Sequence, residues 1–322
     1  MDATTTSYTI KNYTQEFIQT APYRENRNSA LGLRPNTVRN YTAFLNTWER
    51  YSQAHQLDLD FMTLGPQQIA HFKQWILAAQ KYSHNHAGRL MGTLKTLCLD
   101  AQKNEIPTHP YVNFIAGFSQ NQSKKIMHIL NFAEIKKVEQ AAIPSPLENA
   151  RKWVILGFWL GQRVSDLLQL KPEQVRQAEG GGLYVDFHQQ KTQKRITVGV
   201  LDPRAIAILQ DDFPTGLPAN RFNKDLKKVL QYAGISQMVK AYRFDGVRKR
   251  KELGLFPKYK IITAHDLRRS FATNFFGKIP TPLLMRMTGH AREATFMRYI
   301  AVDPQKDTYA AQFIAQVREL NL

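Results

Sequence analysis

A single cysteine, Cys98, is all that the 322 residues contain. That excludes an internal disulfide and any thiolate-bound zinc cluster, and it suits a reducing cytoplasm. No stretch approaches the roughly 18 consecutive apolar residues of a membrane span. The longest apolar run, Trp153 to Leu160, is broken only by Gly157 and has the length of a buried helix. The opening residues MDATTTSYTIKN lack a basic start followed by an apolar segment, so no secretory signal is expected. A Gly-x4-Gly-Lys-Ser/Thr phosphate loop is missing, and the Gly180-Gly181-Gly182 run has no lysine to complete one, so ATP is not implied. His84-Asn85-His86 spells a nuclease-like tripeptide, but residues two apart do not share a helix face and no carboxylate cluster accompanies them. Neither a metal nor another cofactor is therefore expected. Carboxylates are scarce as well: 26 Asp and Glu stand against 44 Lys and Arg, a net charge of +18. Such an excess makes a polyanion the natural partner, with nucleic acid favoured over a membrane surface.

What is present divides in two. The chain is 43% apolar and long enough for two cores. Residues 1–30 are mostly polar and read as a tail. From Thr37, Val38, Tyr41, Leu45, Trp48 and Tyr51 recur at helical spacing, with Arg34, Arg39 and Arg50 off that stripe. Pro66 can open a second helix carrying Ile69, Phe72, Trp75, Ile76 and Ala79, and Ser83 can cap a third carrying Leu90, Leu94, Leu97, Cys98 and Ala101 with Lys95 beside it. Residues 31–110 thus predict a helical bundle. The composition then turns to Pro, Gly, Ser, Asn, Gln and Lys124-Lys125, and 111–128 reads as a linker. The second domain, 129–322, opens at Asn131 with Glu134 three residues on, an N-cap pattern. Leu183, Val185 and Phe187, then Ile196, Val198 and Val200, alternate as two strands around a basic turn holding Lys191, Lys194 and Arg195. Asp202 and Asn223 read as caps of the next two helices. A second basic hairpin is expected around Asp245-Gly246, with Arg248, Lys249 and Arg250 in it, and the remainder reads as helical.

Five motifs carry the chemistry. They read LGQRVSDLLQL around Arg163, QQKTQKR around Lys191, AHDLRRSFAT with His265 and Arg268, TGH ending at His290, and FMRYIAV around Tyr299. Taken singly, each residue has an ordinary structural use; together and in this order they resemble the tyrosine recombinases, the phage-integrase family of site-specific DNA recombinases. The resemblance is strong over the second half and looser over residues 36–110. Two departures stand out: Gln162 occupies a place where the family usually has glycine or leucine, and Ala291-Arg292-Glu293 follows His290 where small polar residues are usual.

Cutting a DNA strand without metal or water requires a nucleophile, a clamp for the growing equatorial charge, and an acid for the departing oxygen. A free tyrosine has a pKa of about 10, so Tyr299 needs cationic surroundings and a base. Arg163 and Arg268 supply forked guanidinium groups, which bind two phosphate oxygens where lysine offers a point charge. His265 and Arg268, three apart near a helix start, share one face. Asp166, three after Arg163, is expected to orient it. The resemblance implies that Lys191 protonates the 5′ leaving oxygen, that His290 bonds the phosphate and steadies the nucleophile, and that His265 is the base. Tyr309 is the rival nucleophile, too far from His290 for the family's spacing.

The fold class expected is mainly α with a small antiparallel sheet, in a two-domain, C-shaped clamp. A helical SAM-like core-binding domain would take one face of double-stranded DNA and the catalytic domain the other, the linker wrapping between them. Transesterification through a 3′-phosphotyrosine retains the bond energy and consumes no nucleotide. The resemblance further implies a homotetramer on two synapsed sites; a monomer is expected when free, and the terminal helix carrying Phe313, Ile314, Val317 and Leu320 is expected to pack on a neighbour, its apolar stripe being equally consistent with packing at home. Backbone contacts are expected from Arg34, Arg39, Lys95, Lys124, Lys125, Lys194, Arg195, Arg248, Lys249 and Arg250. A nucleoid-associated, cytoplasmic integrase of a mobile element is favoured over a chromosome resolvase. Type IB topoisomerase-like relaxation and a non-catalytic DNA-binding protein on the same fold are the alternatives.

Overall fold

The computed structural model describes residues 8–25, 30–119, 126–246, 250–301, 313, 314, 317 and 318. The chain divides into two units, Met1–Lys124 and Lys125–Leu322.

The first unit is built on α1 (Ile10–Gln19), α2 (Pro35–His55), α3 (Pro66–Gln74) and α4 (His84–Lys103). Thr9 caps α1 by accepting from Asn12 N, and Ser83 caps α4 by accepting from His86 N. The predicted stripe of α4 faces the core; the stripe expected from Pro66 onward buries Ile69, Phe72, Trp75 and Ile76, but it passes into a π-helical turn at Trp75–Ala79 and leaves Ala79 exposed. In α2 the buried face is Phe44, Thr47, Trp48 and Tyr51; of the predicted stripe Trp48 and Tyr51 are buried, whereas Val38, Tyr41 and Leu45 are half-buried. Residues 1–30 are not simply a tail: α1 buries Ile10, Tyr13 and Phe17 against α2 and Phe61, and Tyr13 donates to Asp100 Oδ2 on α4 at 2.6 Å. Its stripe of three apolar residues among polar ones was too sparse to register as a helix in sequence. The linker expectation also changes. Val112 and Ile115 are buried in this same core, and a Cβ at Gly88 of α4 would collide with the Phe118 backbone, so 111–119 packs on the bundle.

The second unit contains α5 (Phe132–Gln140), α6 (Glu148–Leu160), α7 (Val164–Leu167), strands β1 (Val175–Gln177), β2 (Leu183–His188) and β3 (Arg195–Val200), then α8 (Pro203–Gln210) and α9 (Ala219–Tyr232). The hairpin β4 (Met238–Asp245) and β5 (Arg250–Pro257) precedes α10 (Lys258–Ile261), α11 (Ala264–Phe275), α12 (Thr281–Thr288) and α13 (Glu293–Met297). The sheet is antiparallel in the order β1-β2-β3, with Val185 opposite Val198 and Phe187 opposite Ile196. Their apolar face closes onto the core while the basic turn between β2 and β3 stays exposed.

Helix α6 lies at the centre. Trp153, Val154, Ile155, Leu156, Phe158 and Leu160 are wholly inaccessible, each contributing roughly 1.5–3 kcal/mol of burial. Gly157 sets its distance from α11, because a Cβ there would stand 2.7 Å from a Leu267 methyl. The close approach brings the segment after α6, with Arg163, beside the face of α11 that holds Arg268. Asn131 and Glu134 form the expected capping box of α5, and Asp202 caps α8 through Ala205 N. Asn223 does not cap a helix start: α9 begins at Ala219, and Asn223 Oδ1 accepts from Ala264 N at 2.9 Å, supporting the first turn of α11 instead. Thr263 and Asp266 complete that turn as a second capping box. Among the described residues no helix is long and apolar enough to cross a membrane.

Candidate active site

Arg268 is the centre of the site and is fully buried. Its guanidinium donates from one terminal nitrogen to Gly161 O at 3.1 Å and from the other to Thr288 O at 2.6 Å, so it ties the end of α6 to the end of α12. The Nε atom has no partner. Burial first, and then the neighbouring Arg163, lower its pKa from the usual arginine value, with Tyr299 and Asp166 opposing; the group stays charged at neutral pH.

Gly161 and Gly289 make the two ends possible. Both have positive φ, +63° and +71°, the left-handed conformation that glycine adopts without a Cβ penalty. A Cβ at Gly161 would also meet the Phe271 ring at 2.5 Å.

His290 follows directly after Gly289 and is buried beside Arg268, whose NH2 lies 3.2 Å from Nε2. Thr288 Oγ1 gives its hydrogen to Leu284 O, so at the 2.8 Å contact with His290 Nδ1 the hydroxyl accepts. The ring is then the Nδ1–H tautomer, with Nε2 accepting from Arg268. Burial, followed by Arg268, Arg163, Lys194 and His265, pushes its pKa down to about 3, and it is neutral at physiological pH.

Tyr299 sits in the turn after α13, half-buried, with its ring centroid 4.7 Å from that of His290, 5.2 Å from that of His265 and 5.3 Å from the Arg268 guanidinium carbon. Phe296 and Ile300, on either side of it in sequence, are anchored in a small apolar cluster with Phe271 and Leu284. Thr273 of α11 donates to Tyr299 O at 3.3 Å and accepts from Ala301 N at 3.1 Å, which fixes the backbone on both sides. The helical stretch expected through Tyr299 stops at Met297, and the phenol is presented from a turn.

Arg163 is the N-cap residue of α7; its NH1 donates to Gln189 Oε1 at 2.9 Å and stands 4.0 Å from Asp166 Oδ2. Asp166, expected to orient Arg163, keeps that ion pair through Oδ2, and through Oδ1 it also accepts from Gln190 N at 3.1 Å, fastening the base of the β2–β3 turn. Arg268, His290 and His265 thus gather around the Tyr299 phenol, four groups able to bind or attack a phosphate, and the charge of Arg163 is near enough to lower the pKa values of Arg268 and His290. Two helix ends and a turn assemble them.

Residues 118–306 match the phage integrase family, and residues 9–117 match the phage integrase SAM-like domain. The chain belongs to the phage integrase family. It is a tyrosine recombinase, an enzyme class that breaks and rejoins DNA strands. The fold agrees. A lambda integrase tetramer bound to a Holliday junction superposes with a TM-score of 0.63 at 17% identity, covering 92% of this chain and 78% of that one. The XerH site-specific recombinase in a post-cleavage complex with palindromic difH substrate gives 0.65 at 16% identity, covering 94% of each chain. The Tn1549 transposon integrase in complex with circular intermediate DNA gives 0.60 at 13% identity, covering 95% of this chain and 99% of that one. No curated protein sequence matches the recombinase.

Lys191 lies in the exposed turn between β2 and β3 together with Lys194. Arg195 opens β3 and is exposed. In the first unit of the recombinase, Arg34 precedes Pro35 as the N-cap of α2, Arg39 is exposed on that helix, and Lys95 is partly engaged, donating to Asn113 O at 3.3 Å. Arg250 opens β5. Lys124, Lys125, Arg248, Lys249 and Tyr309 fall outside the described residues, as does Leu320; Phe313, Ile314 and Val317 are helical, the first two exposed. Reading from sequence missed Gln189, Thr288 and the carbonyl of Gly161, which hold the cations in place. Only Gln162, the departure from the family's usual glycine or leucine, hinted at them.

Proposed function

We propose that this recombinase cleaves and rejoins double-stranded DNA at a specific site, as the integrase of a mobile element, with Tyr299 as nucleophile. The phenol oxygen attacks the phosphorus, a 3′-phosphotyrosine bond forms, and the bond to the 5′ oxygen breaks. His265 takes the phenolic proton, and Lys191 gives one to the departing 5′-hydroxyl. Arg163 and Arg268 neutralise the equatorial oxygens as charge builds on them. His290, neutral and pinned by Thr288 and Arg268, steadies the phenol and the phosphate beside it. Attack by the 5′-hydroxyl of a second strand reverses the step, with the bond energy retained throughout. Both domains bind the duplex, and four protomers join two sites; the lambda integrase that this chain resembles in fold is a tetramer bound to a Holliday junction. An excess of 18 positive charges suits a protein of the nucleoid in the cytoplasm.

The observation that carries this reading is the meeting of Tyr299 with His290 and Arg268 within 5.3 Å. Its test begins with a binding site selected from a random pool of duplexes. On a nicked suicide substrate carrying that site, in excess chelator, the parent chain should accumulate a covalent adduct. Tyr299→Phe should bind the duplex with unchanged affinity and form none. An adduct with the phenylalanine variant rules out Tyr299, and plasmid relaxation without recombinant product would favour the topoisomerase-like alternative.

A further inference from the structure

Two glutamines with no assigned part in phosphoryl transfer lie behind the cationic centre, and neither is accessible: Gln162 is 1% exposed and Gln189 0%. Gln162 Nε2 donates to Leu160 O at 2.8 Å and to Met287 O at 2.9 Å, which uses both of its hydrogens. Its Oε1 is left to accept from Gln189 Nε2 at 3.2 Å. The second hydrogen of Gln189 Nε2 goes to Thr288 O at 3.2 Å. Gln189 Oε1 accepts from Arg163 NH1 at 2.9 Å and from Thr192 Oγ1 at 2.7 Å. Each amide orientation is forced, since guanidinium only donates and a backbone carbonyl only accepts.

Three segments are joined by this pair. Gln162 belongs to the end of α6 next to Arg163. Gln189 begins the β2–β3 turn that presents Lys191, and its backbone closes that turn through Gln189 N to Lys194 O at 2.8 Å and Gln193 N to Gln189 O at 2.7 Å. Met287 and Thr288 end α12, immediately before His290. Gly289 runs so close behind that a Cβ there would collide with the Gln189 amide. A carboxylate in place of either amide would turn oxygen towards carbonyl oxygen, and an apolar side chain would remove three hydrogen bonds at Gln162 or four at Gln189 from this buried network.

We propose that Gln162 and Gln189 are positioning residues for strand cleavage: the amide pair aims the Arg163 fork and holds the turn bearing Lys191 in register with the loop bearing His290. The proposal rests on the catalytic reading above. Its variants are Gln189→Met, which removes every contact, and Gln162→Met, which leaves Arg163 bonded to Gln189 but takes away the support behind it. With the full chain and the selected nicked duplex, both variants should bind within about threefold of the parent while forming the Tyr299 adduct at least tenfold more slowly for Gln189→Met and severalfold more slowly for Gln162→Met. A second duplex, with sulfur in place of the bridging 5′ oxygen, has a leaving group that departs without an acid. It should recover part of the Gln189→Met loss and all of that of Lys191→Ala, and recover nothing for Arg163→Ala.

Cleavage within twofold of the parent in either folded variant overturns the proposal. So does cleavage lost only in step with duplex binding, or a Gln189→Met deficit that sulfur leaves unchanged. Should Gln189→Met fail to fold, Gln162→Met decides by the same criteria. A parent chain that forms no adduct defeats the catalytic reading itself, whereas a cleaving parent beside equally active variants defeats this proposal alone.

Discussion

At the scale of single residues, His290 shows how its neighbours decide what a side chain can do. An imidazole in water is half-charged near pH 6.5, but here burial and the surrounding cations hold it neutral down to a pKa of about 3. The folded-state value lies below that of the unfolded chain. Between the two, the unfolded chain binds the extra proton, so acidification through that window destabilises the fold, by at most about 1.4 kcal/mol for each pH unit. His290→Asn removes the titration and should flatten the acid limb of a urea-denaturation series between pH 6 and 4, while the parent keeps the slope. Equal slopes would show that His290 is not held neutral in the fold. Burial of Arg268 works differently, because its charge is retained and two of its five donors hold it in place on Gly161 O and Thr288 O. On the proposed mechanism an incoming phosphate meets a guanidinium already aimed and already desolvated, which costs little reorganisation at the moment of reaction.

At the scale of elements, the site is made where helices end. Helix α6 stops at Gly161, α12 at Gly289, and α11 starts under the Thr263–Asp266 box; Arg163, His290 and His265 stand within two residues of those ends, Arg268 follows one turn into α11, and Tyr299 stands two residues past the end of α13. Ends of helices leave backbone groups unpaired, and two of those carbonyls are what Arg268 binds. Gly161→Ala should therefore cost twice. The left-handed backbone disfavours alanine by about 1 kcal/mol, and the methyl pushes into the Phe271 ring for about 1–3 kcal/mol more. We expect a loss of about 2–4 kcal/mol in denaturant unfolding, together with loss of adduct formation as the Arg268 acceptor moves. Stability within 0.5 kcal/mol of the parent would mean that α6 and α11 separate more readily than their packing implies.

At the scale of the whole molecule, the chain behaves as two units with separate cores, and the first begins earlier than its composition suggests. Ile10, Tyr13 and Phe17 each put an apolar side chain into the bundle, at roughly 1.5–3 kcal/mol apiece. Their sum is comparable with the 5–15 kcal/mol by which a domain is stable at all. Deleting residues 1–19 should thus unfold the Met1–Lys124 unit, seen as rapid proteolysis of that half, while the Lys125–Leu322 unit stays resistant. A deletion that left both halves equally resistant would restore the view of 1–30 as a tail.

The chemistry of this recombinase was legible in its amino-acid order because a phosphate clamp needs particular groups, and no other residue offers a guanidinium fork or a phenol. Arg163, His265, Arg268, His290 and Tyr299 stand out as candidates for that reason, and the β2–β3 hairpin, whose alternation has a period of two, and the capping box at Asn131 were legible as well. Less was legible where a residue's role depends on partners remote in the chain. Asn223 looked like a cap and instead braces the start of α11, 41 residues away. Asp166 looked like the partner of Arg163 and does pair with it at 4.0 Å, but it also holds Gln190 N, and the hydrogen bond from Arg163 goes to Gln189, 26 residues on. An amide carries no charge or periodicity that marks it in a sequence; only when α6, the β2–β3 turn and α12 meet do its two donors and its acceptor find a unique use. Composition and residue chemistry thus determined what this protein can do to a phosphodiester, and the packing of α6 against α11 decided where each group stands, because helix ends are brought together by buried surface rather than by neighbours in sequence.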